Sequence, residues 1–147
     1  MAQLVGGDGT DAIIMTDASS TITDSDFSAA SDIEYLILSG ASSALLGNAV
    51  AATGISTLIT GTGNTSITCA QDLALLDVDA SLMLDNTLLT LSEANSVGVD
   101  YSVFGLQADL VASSVTRSLT VTTADNAILS MSTSSQANAI DGGAQAV

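Results

Sequence analysis

The sequence predicts an all-β fold, a β-solenoid-like stack of short strands forming a single domain over residues 1–147. Three observations carry that expectation: which polar residues are used, how short apolar runs alternate with turn formers, and a weak recurrence near twenty residues.

Ser, Thr, Asn, Asp and Gly dominate the polar residues, with no Pro or His. The only basic side chain is Arg117, and the only glutamates are Glu34 and Glu93. Helix surfaces normally carry Glu, Lys, Arg and Gln, which lose little freedom there. Thr, Val and Ile favour strands, and Ser, Asn, Asp and Gly favour turns. Hydrophobic residues make up 47% of the chain but aromatic ones only 3%, so the core must be built from Leu, Ile, Val and Ala. Such side chains suit the narrow interior of a thin stack of strands.

Apolar runs of strand length are Ala12–Thr16, Ile33–Ser39, Ile55–Thr60, Thr65–Ala70, Ser81–Leu84 and Thr87–Leu91. Val99–Phe104, Leu106–Val111, Ser118–Thr122 and Ala127–Met131 follow. Between them lie turn formers: Gly6-Gly7-Asp8-Gly9, Ser39-Gly40, Gly47-Asn48, Gly61-Thr62-Gly63-Asn64, Asp85-Asn86 and Asp125-Asn126. Asp72–Asp79, with Leu73, Leu75 and Leu76 close together, also reads as a helix.

Ile33-Glu34-Tyr35-Leu36-Ile37 returns 22 residues later as Ile55-Ser56-Thr57-Leu58-Ile59. Leu82-Met83-Leu84-Asp85-Asn86 has a looser echo in Leu119-Thr120-Val121 and Asp125-Asn126. Periods of about 20 residues fit solenoids, whose coils bury their inner faces only by stacking on one another. Six or seven coils, spaced about 4.8 Å apart, would stand roughly 30 Å tall. The alternative is a β-sandwich or jelly roll, with strands and turns every 8–12 residues or so. Ile37, Leu58 and Leu84 are the expected core positions.

Composition also excludes functions. A formal net charge of −15 with one arginine leaves nothing to displace counterions from phosphates, so nucleic-acid binding is not expected. No apolar run is long enough for membrane insertion, and Met1-Ala2-Gln3-Leu4-Val5 does not read as a Sec signal, which suggests an unprocessed cytoplasmic product. Without His there is no Ser-His-Asp or Cys-His machinery and no imidazole metal ligand. Without Lys there is no Schiff base and no P-loop. Carboxylate pairs remain, and Asp24/Asp26 and Asp77/Asp79 have suitable spacing for a glycosidase, although few aromatics exist to form a sugar platform. Cys69 lies in a strand-like run with no basic neighbour and reads as a buried small hydrophobe. An exposed pairing of Arg117 with an acid would contribute only about 0–1 kcal/mol.

Gly6-Gly7-Asp8-Gly9-Thr10-Asp11-Ala12-Ile13-Ile14 matches the nonapeptide G-G-x-G-x-D-x-U-x and resembles the RTX calcium-binding repeat. The resemblance implies Asp8 and Asp11 as metal-site residues, with calcium as a possible ligand and no other cofactor. A degenerate copy at Gly61, Gly63 and Ile67 has Thr65 where the aspartate should be. The stretch from Ile22 to Gly40 resembles the acidic β-strand repeats of S-layer-like and adhesin-like bacterial surface proteins and of phage structural proteins.

These features suggest a non-enzymatic structural protein that self-assembles. The leading expectation is a capsid decoration or cement protein on the virion surface of a tailed phage. It would be a homo-oligomer, a trimer, contacting the major capsid protein or another surface-lattice protein. The alternative is an extracellular, cell-surface filament or S-layer subunit with calcium-binding turns. A phage adhesin contacting host glycans is a third reading, for which no aromatic site speaks.

Overall fold

The computed structural model describes residues 3–94, 97–123, 128–131 and 139–141. It is a β-solenoid, with 47% strand against 8% helix, so the sandwich alternative does not apply. Every strand pairing is parallel.

Two sheets form the walls. One holds seven strands, in order along the stack: β2 (Ala12–Ile14), β5 (Tyr35–Ile37), β7 (Thr57–Ile59), β9 (Leu73–Asp79), β11 (Val99–Leu106), β13 (Leu119–Thr123) and β15 (Ala139–Asp141). The other holds β3 (Thr21–Ile22), β6 (Ser42–Leu46), β8 (Thr65–Cys69), β10 (Leu88–Glu93), β12 (Asp109–Ser113) and β14 (Leu129–Met131). The chain alternates between walls, so each coil adds one strand to each sheet. A third side exists only near the N-terminal end, where β1 (Leu4–Val5) pairs with β4 (Ala30–Ser31). The short helix α1 (Asn48–Thr53) continues that side above β4.

Alternation decides what is inside. Ile13, Leu36, Leu58, Val78, Val103 and Val121 are register partners and form one inward column of the seven-stranded sheet. Ile22, Ala44, Ile67, Leu91 and Ala112 form the matching column of the six-stranded sheet. From Leu36 and Ala44 onward these positions are fully buried or nearly so. Columns of aliphatic side chains fill most of a narrow lumen, with Phe27 and Tyr101 the aromatic members of the described core.

The 22-residue recurrence is realised directly, since Tyr35, Leu36 and Ile37 pair with Thr57, Leu58 and Ile59. Leu58 is buried as expected, but Ile37 is only half-buried and Leu84 is 54% exposed. Ile37 lies on the outer face because Leu36 and Leu38 take the inward phase, and a shift of one residue inverts every side chain of a strand.

Leu84 fails for a different reason: Ser81–Leu84 is a turn, not a strand. Asp79 accepts from the Ser81 amide at 3.0 Å, the Met83 amide donates to Ala80, and Met83 alone of the run is buried. Asp72–Asp79 contains a strand, not a helix. Leu106–Val111 is broken at Gln107 and Ala108, between β11 and β12. The turn Asp125-Asn126 and the first residue of Ala127–Met131 lie outside the described residues, while Leu129–Met131 is a strand. The pattern missed the short strands β1, β3, β4 and β15, as well as β6, whose inward positions include Ser42 and Ala44, and α1 in the Ala-rich run after Gly47.

Candidate cation turn and carboxylate network

The glycine turn preceding β2 has the backbone its sequence demands. Gly7 and Gly9 hold φ of 94° and 126°, where side chains are disfavoured. Gly6 lies against the next coil, and a Cβ there would fall 1.9 Å from the Asp32 carbonyl oxygen. Asp8 is exposed. Asp11 is tied to the next coil by its backbone: its N–H donates to Glu34 Oε2 at 2.8 Å, and its carbonyl accepts from Tyr35 at 3.0 Å. Its side-chain Oδ2 is buried and accepts no hydrogen bond from the described residues. Among the described residues, no three His, Cys, Asp or Glu side chains come together as a metal-holding group. The degenerate copy makes a close-packed turn, in which Gly61 and Gly63 pass over Gly40 and Ala41, and Ile67 enters the inward column.

The other acids serve the backbone. Asp24 Oδ1 accepts from the amides of Gly47, Ala49 and Val50 at 2.9–3.0 Å, and so holds the start of α1 from the coil below. Asp72 accepts from Gly98 at 2.6 Å, and Asp109 from Ile128 at 3.1 Å. Asp100 accepts from the Ser118 hydroxyl at 2.6 Å and its amide at 3.1 Å. Those two bonds, the hydroxyl first, hold the Asp100 carboxyl below the usual aspartate range, and the charge of Arg117 adds to them. The Arg117 stem lies across Gly98.

Glu93 is the unexpected member. It occupies an inward column with Leu46 and Cys69, where the alternation calls for an apolar residue. Its carboxylate accepts from the amides of Val99 and Thr116 at 3.1 and 2.9 Å and from the Thr116 hydroxyl at 2.8 Å. A buried carboxylate is tolerable when its lone pairs are satisfied in this way. The signal in the sequence was its phase, two residues beyond Leu91 and four beyond Leu89.

The candidate carboxylate pairs divide. Asp24 is occupied with α1, while Asp26 accepts from the Thr23 amide and hydroxyl at 2.8 and 2.9 Å, which lowers its pKa. Asp77 and Asp79 do share the outer face of β9, as strand geometry requires.

Cys69 is buried and its thiol is pushed up to about 11, chiefly by burial. The neighbouring Tyr101 is also buried, and its ionisation lies far above the usual tyrosine range for the same reason. Although the thiol and hydroxyl influence one another, Tyr101 Oη has no partner in hydrogen-bond geometry among the described residues.

Comparison with family models, curated proteins and solved structures returns no match.

Proposed function

We propose that this chain is a non-enzymatic structural unit that assembles with copies of itself into a surface layer. Decoration of a tailed-phage capsid, through contact with the major capsid protein, is its leading setting. The observation that carries the reading is the use made of the acids. Asp24, Glu34, Asp72, Glu93, Asp100 and Asp109 each accept a backbone amide of a neighbouring coil. Carboxylates committed to amides hold a scaffold together and are poorly placed to exchange protons with a substrate. Light scattering of the purified chain tests the proposal. Oligomers are expected, and a monomer at tens of micromolar, or turnover of any substrate, would overturn it.

A second setting, an extracellular filament or S-layer subunit, is favoured by Asp11 Oδ2, a buried carboxylate oxygen in a glycine turn without a donor among the described residues. Calcium takes six to eight oxygens, so neighbouring carbonyls or a second chain would have to contribute. If EDTA lowers the melting temperature and calcium restores it, this setting replaces the capsid. Indifference to EDTA favours the capsid.

A further inference from the structure

We infer that copies of this chain stack head to tail, the β2–β3 end of one continuing the solenoid from the β14–β15 end of another. This rests on the self-assembly reading above and specifies its geometry.

The two ends match. β2 and β15 are the opposite edges of the seven-stranded sheet, and β3 and β14 are the opposite edges of the six-stranded sheet. The far edge of each pairs with no described strand. Because every pairing within the chain is parallel, a second copy added in the same orientation forms parallel pairs of the same kind. Two copies meeting through like ends would have to pair antiparallel.

The backbone of β2 is set for this. The Asp11 carbonyl and the Met15 amide bond to β5, so alternation along the strand turns the polar groups of Ala12 and Ile14 to the free edge. Unpaired edges are templates for strand addition.

The side chains agree with the backbone. Ile13 heads the inward column but is only half-buried, whereas Leu36 and Leu58 beyond it are fully buried. Leu4, Val5 and Ile14 at the same end are each more than half exposed. A further coil would cover them as each coil covers the one before. A heterologous contact that does not close generates an open filament, not the trimer expected from sequence.

The test uses Ile14→Pro, which removes the outward N–H and leaves the amides bonded to β5 in place, and Ile14→Lys as a second variant should the proline ring disturb the fold. Leu45→Lys, on the outer face of β6, controls for side-by-side association. Sedimentation of the wild type should show a concentration-dependent series at multiples of 14.6 kDa, rising with salt as the net charge of −15 per copy is screened. Both Ile14 variants should melt cooperatively yet remain monomeric alone. Mixed substoichiometrically with wild type, they should shorten its assemblies, since each still offers an intact β14–β15 end. Leu45→Lys should assemble as wild type does. If folded Ile14 variants assemble normally, if Leu45→Lys blocks assembly instead, or if the wild type forms a closed dimer or trimer, stacking is wrong while self-assembly stands. A monomeric wild type removes both.

Discussion

Glu93 and Thr116 lock two coils together through one carboxylate oxygen: Oε2 accepts both the amide and the hydroxyl of Thr116, at 2.9 and 2.8 Å. The other oxygen accepts the Val99 amide at 3.1 Å. Three donors thus converge on a side chain that is 9% exposed.

Removing that acceptor deprives the buried Val99 amide of its bond and releases the exposed Thr116 from the neighbouring coil. Glu93→Ala should therefore destabilise by about 1–3 kcal/mol, as expected when a buried donor loses its partner. Glu93→Gln retains one carbonyl oxygen and should cost less. Urea unfolding of both variants checks the order. Equal stability of Glu93→Ala and wild type would show that water replaces the carboxylate freely.

Acid should weaken the fold through Asp26 and Asp100. Both carboxyls are held below the ordinary value of 3.8 by hydrogen bonds to Thr23 and Ser118. A depressed folded pKa gives stability that is fully present above the unfolded value and lost as pH falls through the folded one. The melting temperature should thus be flat near neutrality and fall below about pH 4. Asp100→Asn should melt below wild type at pH 7, with the gap closing in acid. A constant gap at every pH would remove the charge from the explanation.

Alkali should act through Cys69 and Tyr101, with the opposite sign. The folded thiol is raised from 9.0 to about 11, and Tyr101 is raised still further. The unfolded chain then releases protons first, so stability is full below pH 9 and declines as pH rises toward 11. Cys69→Ala should flatten part of that decline. In native wild type the thiol should resist aromatic disulfide reagents and react only on unfolding. Rapid labelling of the folded protein would contradict its burial.

The columns of the lumen were largely legible in the sequence, because a period of two within strands and near twenty between them is written in Leu, Ile and Val. The match of Ile33–Ile37 to Ile55–Ile59 gave true register. What failed was phase and length. Ile37 and Leu84 are as apolar as Leu36 and Met83, so composition could not say which faced inward. β6 was hidden because Ser42 and Ala44 are small enough to serve inside without looking like core. The role of the acids was hidden too, since their partners are backbone amides about twenty residues away, which carry no sequence signal. The Asp8–Asp11 turn is the reverse case: its glycine pattern is plain, and the structure adds the buried Asp11 oxygen.

The contrast between Leu58 and Leu84 tests the inward phase of β7. Leu58 sits in the inward column between Leu36 and Val78 with no exposure, while Leu84 projects from the turn before β10 and is 54% exposed. Truncating a buried leucine loses its transfer energy and leaves a cavity between two tightly stacked neighbours, so Leu58→Ala should cost about 2–5 kcal/mol. Leu84→Ala removes area that water already reaches and should stay within about 0.5 kcal/mol of wild type. Chemical denaturation of the two variants measures the difference. Because a shift of one residue in β7 would turn Leu58 to the outer face, a loss at Leu58 no larger than that at the exposed turn residue Leu84 would mean that β7 does not stack in this register.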